Sequence, residues 1–348
     1  SVLNSRILWS FSAAFNYTKN KEYKVLAERA FQYLSNHFVD KEHGGVYWTV
    51  TATGEPMDPK KQVYALAFGV YGLSEYYKAS GDENAKALAI QLYKIVIDHS
   101  YDKTYGGYFE AFTRDWLSLD DMRLSTKDAN EPKSTNTQLH VLEAFSNLYT
   151  IWPDAGLKKK LHELIQLFLH RIISNNTHHL ILFFKEDWLP ASRMVSYGHD
   201  IEAAWLLQKA AEALGDKVLL LEVKSCSQEL AKAAAKGLDE DGGIWYEYSA
   251  ATHHLVKQKH WWPQAETMVG CFYTWQNTGK KRWLQQSLDS WEFVKKYMKD
   301  DTNGEWRWGV SEDHSPMKDQ DKVGIWKCPY HNSRACIEIV QLINSLLD

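Results

Sequence analysis

The chain has 348 residues, with 40 Lys and Arg against 44 Asp and Glu and a formal net charge of -4. That balance, without a basic cluster, excludes a nucleic-acid surface, and the absence of any run of about eighteen apolar residues argues against a membrane span. Four cysteines (Cys226, Cys271, Cys328 and Cys336) form no C-x-x-C pair and read as buried or inert thiols in a reducing, cytoplasmic compartment.

Apolar periodicity predicts helices over 2–17, 21–37, 60–79, 83–99, 133–151, 155–174, 199–214, 217–237, 260–279, 281–298 and 331–346. Short aromatic strands with glycine turn signals separate the pairs, at 44–48, 106–110, 242–246 and 304–308, and His179–Phe184 fills the gap in that series. Gly45 and Gly107 lie 62 apart, Gly243 follows after 136, which is two periods of 68, and Gly304 comes 61 later. The spacing predicts an internal repeat of roughly sixty to seventy residues. Helix pairs repeating in this way predict an all-α fold, an (α/α)6 toroid with short β-hairpins in its connecting loops, as one domain over 1–348. Eleven helices are legible where six pairs need twelve. The reading therefore expects the first helix to lie upstream of Ser1, the domain being N-terminally incomplete.

Polar residues interrupt helix faces that a simple bundle keeps apolar. In chain order, Arg6 shares a face with Trp9, Tyr64 heads the third helix, and Asn136, His140 and Glu143 line one stripe of the fifth. Next come His199, Glu202 and Trp205, preceded by Gly198; then Trp262 and Glu266, with Pro263 suited to a first helical turn. His331 and Arg334 share the last such face. All fall near helix N-termini, whose partial positive charge suits a developing anion. Each has a plainer reading: a structural histidine, a core tryptophan, an ion-paired arginine. The pairs His178-His179 and His253-His254 read as solvated loop edges.

No H-E-x-x-H or cysteine pair suggests a metal, no G-x-S-x-G suggests a serine nucleophile, and no glycine-rich phosphate loop is present. Asp239-Glu240-Asp241 is too short a run of acids for the diphosphate chemistry of terpene cyclases.

Four stretches carry a resemblance: Tyr197–Leu207 (YGHDIEAAWLL), Trp261–Glu266 (WWPQAE), Asn136–His140 with VLEAF following, and Lys327–Cys336 (KCPYHNSRAC). Together they resemble the N-acylglucosamine 2-epimerase superfamily, and its disaccharide-specific members above all, along the whole chain. The resemblance implies an (α/α)6 barrel and C2 epimerisation of the reducing-end glucose of β-1,4-linked disaccharides (cellobiose to glucosyl-mannose, lactose to epilactose). It implies His199 and His331 as the catalytic pair, His140 as a third active-site histidine, and Arg6 as the essential arginine. Carboxylates fall on Glu202 and Glu266, and sugar contacts on Tyr64, Asp128, Asn136, Trp262 and Trp326, with Trp205 beside them. It implies no cofactor and no metal, and the partner expected is a small-molecule disaccharide acted on by a monomer, with neither nucleic acid nor membrane involved.

These residue types suit that chemistry. A proton must leave the carbon beside an aldehyde, and the resulting enediolate must be stabilised, a task for a permanent cation such as Arg6. The proton must return from the opposite face, which two histidines near neutrality can manage. Glu202 is expected to orient or tune His199, and His140 to assist ring opening or hold the enediolate. Reprotonation at C1 instead would yield a ketose. Alternatives are an N-acylglucosamine 2-epimerase or mannose isomerase or epimerase within the superfamily. Outside it stand a glycoside hydrolase using Glu202 and Glu266 and a non-catalytic sugar-binding toroid.

Overall fold

A computed structural model describes residues 1–347. Eleven α-helices are present among the described residues, with strands of only two or three residues. The chain divides into two compact units, Ser1–Leu167 with Phe183–Ser192, and Phe168–Leu182 with Arg193–Asp348.

In unit 1, α1 (Val2–Thr18) packs on α2 (Lys21–Tyr33) and on α3 (Val63–Ser80). Helix α3 packs in turn on α4 (Glu83–Ser100) and α5 (Thr135–Ile151), and α5 packs on α6 (Ala155–Leu167). Helix α3 is buried almost all round, from Val63 through Ser74, as its apolar composition requires, whereas α2 buries little more than Ala27 and Ala30. Unit 2 repeats the plan: α7 (Tyr197–Leu214) packs on α8 (Lys217–Ala234) and α9 (Trp261–Thr278), and α9 on α10 (Lys281–Phe293) and α11 (Tyr330–Leu347).

The turns inside each pair have a common chemistry. Helices α1, α3, α7 and α9 end on a left-handed residue, Lys19, Gly81, Gly215 and Gly279. In three of the four pairs a capping side chain comes next, Asn20, Asp82 or Asp216, which accepts from the first turn of the following helix. Where α1 meets α3 and α7 meets α9, a glycine allows a close approach. A methyl on Gly72 of α3 would lie 2.6 Å from the Ser5 carbonyl of α1, and one on Gly270 of α9 would lie 2.7 Å from the Ile201 carbonyl of α7.

Two expectations shift. The helices predicted to 37, 174 and 298 finish in π-turns, at 34–38, 168–172 and 294–298. The glycine-aromatic stretches are tight turns closed by single bridges such as Val39–Val46 and Tyr101–Tyr108, because Gly44, Gly45, Gly106 and Gly107 adopt φ near +75°. The ladders form just downstream: Lys61–Gln62 against Ala111–Phe112, Lys133–Ser134 against Phe183–Phe184, and Lys259–His260 against Gly309–Val310.

Each of those first strands begins with a buried lysine, Lys61, Lys133 or Lys259, and Lys327 stands ahead of α11 without a strand; all four are at most 1 % exposed. Lys61 meets Asp40 at 2.8 Å, Lys133 meets Asp102 at 2.6 Å, Lys259 meets Asp239 at 2.6 Å and also Asp241, and Lys327 meets Glu305 at 3.2 Å. The acidic run at 239–241 thus serves Lys259. In the α7 repeat, Val195 and Ser174 hold the corresponding places, so cation and anion are lost together. An unpaired buried charge is costly, and only the joint replacement avoids it.

Candidate active site

The buried lysines define a register for the helices that follow. Seven residues after Lys61, Lys133, Lys259 and Lys327 stand Phe68, His140, Glu266 and Arg334, and Glu202 holds the same place after Val195. Four of these five are charged or ionisable, although all five are buried.

In unit 2, α7 begins at Tyr197, and Ser196 places its Oγ 2.8 Å from His199 Nδ1. Ser196 was not apparent from the sequence as a partner for His199. Gly198 earns its position by sterics: a methyl there would sit 2.6 Å from the Trp262 ring. Trp262 contacts both histidines, at 4.7 Å from the His199 ring and 5.8 Å from that of His331. His199 and Trp262 are half-buried, which leaves them accessible beside a buried layer, and Trp326 is half-buried as well.

That layer is a network of charge. His331 Nδ1 lies 2.7 Å from Glu266 Oε1. A carboxylate there fixes Nδ1 as the donor and leaves Nε2 as the base, a tautomer assigned from the network. Glu266 Oε2 accepts from Trp205 Nε1 at 3.0 Å. A single nitrogen, Arg334 Nη2, donates to both Glu202 Oε1 at 2.6 Å and Glu266 Oε1 at 2.7 Å. The guanidinium lies over the Trp205 and Tyr330 rings, at 4.8 and 4.5 Å, while Nη1 donates to the Tyr330 hydroxyl. Glu202, Glu266 and His331 also bring three donor atoms within 4.8 Å, a spacing a metal ion tolerates. Arg334 already supplies a cation to both carboxylates there, which sets this donor set apart from an open metal site. His199 Nδ1 meets Ser196 Oγ, and Glu202 Oε1 accepts from Arg334.

In unit 1, Arg6 Nη2 donates to the Tyr64 hydroxyl at 2.7 Å, and its guanidinium lies 4.3 Å from the Phe68 ring centre. His140 packs against Phe68 at 4.7 Å and edge-on to Tyr64 at 5.0 Å, and its Nδ1 meets Glu143 Oε2 at 2.9 Å. Arg6, Tyr64 and His140 therefore form one cluster, with Phe68 and Glu143 completing it.

Asp128 and Asn136 come together elsewhere in unit 1, in a small pocket they share with Arg123, Phe183 and Glu110. Asp128 accepts from Ser125 N and Oγ at 2.9 and 3.0 Å, and burial pushes its carboxyl up. Glu110 caps α5, accepting from Ser134 N and Thr137 Oγ1, each at 2.7 Å. Burial nevertheless outweighs those bonds and pushes its carboxyl up to about 8.

The solvated reading of His179 is wrong. It is 8 % exposed, and its Nδ1 lies 2.6 Å from Asp200, whose other oxygen accepts from Leu180 N. Asp200 does for this turn what Gln138 and Gln264 do for the turns at Tyr108 and Ile244, whose backbone groups they bridge. Among the described residues no helix is long and apolar enough to cross a membrane.

Comparison with known proteins follows the same lines. The profile of the family described as N-acylglucosamine 2-epimerase (GlcNAc 2-epimerase) matches residues 1–335. A curated cellobiose 2-epimerase of Bacteroides fragilis is 49% identical over 340 residues, 98% of this chain and 87% of the relative. The solved cellobiose 2-epimerase of Spirochaeta thermophila superimposes with a TM-score of 0.94 at 35% identity, over 100% of this chain and 86% of its own. That of Bacillus thermoamylovorans superimposes with a TM-score of 0.93, also at 35% identity, over 98% and 87%. The fold class is the (α/α)6 barrel that the repeat predicts.

Proposed function

We propose, for a chain that belongs to the N-acylglucosamine 2-epimerase family, a two-histidine mechanism for the reaction its relatives are named for. The protein is an epimerase of disaccharides, inverting C2 of the reducing-end sugar as cellobiose 2-epimerases do. The observation that carries the mechanism is the pair His199 and His331, both in contact with Trp262.

A sugar ring stacked on Trp262 would present C2 to both imidazoles. One histidine removes the C2 proton from the open-chain aldose, giving an enediolate, and the other returns a proton to the opposite face. His331 enters this cycle with Nε2 as the base, since Glu266 holds Nδ1. Arg6 supplies the fixed cation suited to an enediolate oxygen, and His140, oriented by Glu143, supplies a donor for ring opening. Tyr64, Asp128, Asn136 and Trp326 are assigned to the hydroxyl groups and ring faces of the substrate. A cytoplasmic monomer built as a single domain completes the proposal.

A hydrolase would need one carboxyl protonated as the acid and a second acting from across the bond. Glu202 and Glu266 instead accept from the same arginine nitrogen, which disfavours that division of roles.

Incubation with cellobiose in deuterated water tests the reading. Deuterium at C2 of glucosyl-mannose is expected. Glucosyl-mannose formed without exchange would overturn the enediolate route, and free glucose would indicate hydrolysis.

A further inference from the structure

We infer that Arg334 is a positioning residue for the acid–base step, holding Glu266 as an anion against His331 by sharing its charge with Glu202. The inference rests on the reading above that His331 carries a C2 proton.

Glu202 and Glu266 are 1 % and 0 % exposed. Two carboxylates so close and so dry repel each other, and without a cation one of them takes a proton. Arg334 lies where it prevents this, with Nη2 at 2.6 and 2.7 Å from the two acids. One arginine and two carboxylates leave a single negative charge, and His331 Nδ1 lies against it, 2.7 Å from Glu266 Oε1. A protonated Glu266 could offer that nitrogen a proton instead of accepting one. The tautomer would then be free to invert and bury the basic lone pair.

The groups that face this cluster come from three helices: Glu202 and Trp205 on α7, Glu266 on α9, Tyr330 and His331 on α11. Arg334 is itself fixed, by the Tyr330 hydroxyl and by two aromatic faces. A second observation is independent of these contacts. Arg334 occupies the same place after its buried lysine as Glu266 and His140 do after theirs, and as Glu202 does after Val195. The register that delivers the other charged groups therefore delivers this one.

Because one nitrogen bridges both acids, a lysine can partly replace the arginine, and a neutral side chain cannot. The test compares R334M, R334K and the charge-balanced double variant E202Q/R334M. Its readouts are kcat for C2 exchange across pH and the imidazole nitrogen resonances of 15N-histidine-labelled protein. For R334M, kcat is expected to fall about 10²-fold with little change in KM. Its pH profile shifts, and the His331 Nδ1 resonance leaves the N–H position. R334K recovers about tenfold of that loss. E202Q/R334M restores the resonance whether or not it restores turnover, and it carries the test if R334M does not fold.

A folded R334M with the wild-type resonance and pH profile overturns the inference. So does a double variant whose resonance stays displaced, since charge balance would then not be the cause. H331N that still exchanges C2 would sink the acid–base assignment instead, a result separable from the resonances of the Arg334 variants.

Discussion

The two units build their charged clusters by different means. In unit 1 the histidine and its carboxylate, His140 and Glu143, are neighbours on one helix, and Arg6 meets a phenol and an aromatic face. In unit 2 the corresponding groups come from three helices: His331 and Glu266 are 65 residues apart, and Arg334 and Glu202 are 132 apart. A local pair needs only helical geometry, whereas the distributed network needs α7, α9 and α11 packed correctly. The distributed cluster also holds two acids to one arginine, so its protonation depends on every member.

Substitutions can break or sharpen that contrast. The largest effect should come from the histidines of unit 2: H199N or H331N is expected to lower kcat for C2 exchange by at least about 10³-fold with the fold intact. H140N should cost less, about 10²-fold, as the loss of a ring-opening donor that carries no C2 proton. Equal losses at all three positions would erase the distinction.

Stability offers a second contrast, since unit 1 keeps a buried Lys133–Asp102 pair where the α7 repeat in unit 2 has Val195 and Ser174. K133M should destabilise by about 3–5 kcal/mol in urea titrations, because it strands a buried acid. The double change D102S/K133V, which copies the α7 repeat, should lose less than K133M alone. A larger loss would mean that the lysine's bonds to the Gly106 and Glu186 carbonyls outweigh its charge.

G198A should cost about 1–3 kcal/mol and roughly tenfold in kcat, because Trp262 must shift from its contacts with the two imidazoles. Unchanged kinetics would show that this indole does not set the histidine geometry.

The last contrast concerns two buried acids that each serve a chain turn. Asp200 has the His179 imidazole beside it, whereas Glu110 has only neutral donors. The Glu110 carboxyl rises from an ordinary 4.5 to about 8. Below that window it is protonated folded or unfolded, and within it only the unfolded chain ionises. Stability conferred by the neutral form is thus complete below pH 4.5 and is lost as pH rises toward 8, by at most about 1.4 kcal/mol per pH unit. E110Q should flatten urea midpoints measured from pH 5 to 8. The same slope in E110Q would assign the effect to another group.

Much of the candidate site was legible from residue type. His199 and His331 stood out because histidine is rare on a buried stripe, and Trp262 because it heads a helix beside a proline. Arg334 was visible on the face of His331 but had no stated role, since nothing local shows that two distant acids share it. The lysine register would have singled it out, had four lysines ahead of helices been read as buried. They were not, because lysine is ordinarily exposed and each of the four has a partner between 20 and 31 residues upstream. His179 was misread for the same reason: its partner, Asp200, belongs to the next helix.

The sequence by itself determined the helices, their pairing and the sixty-to-seventy-residue period, because apolar periodicity and turn chemistry are local properties of the chain. Only the tertiary structure decided which charges meet. Burying an ion is tolerable when its counter-ion arrives at hydrogen-bond distance, and that distance is set by helices packing together rather than by neighbours in the chain.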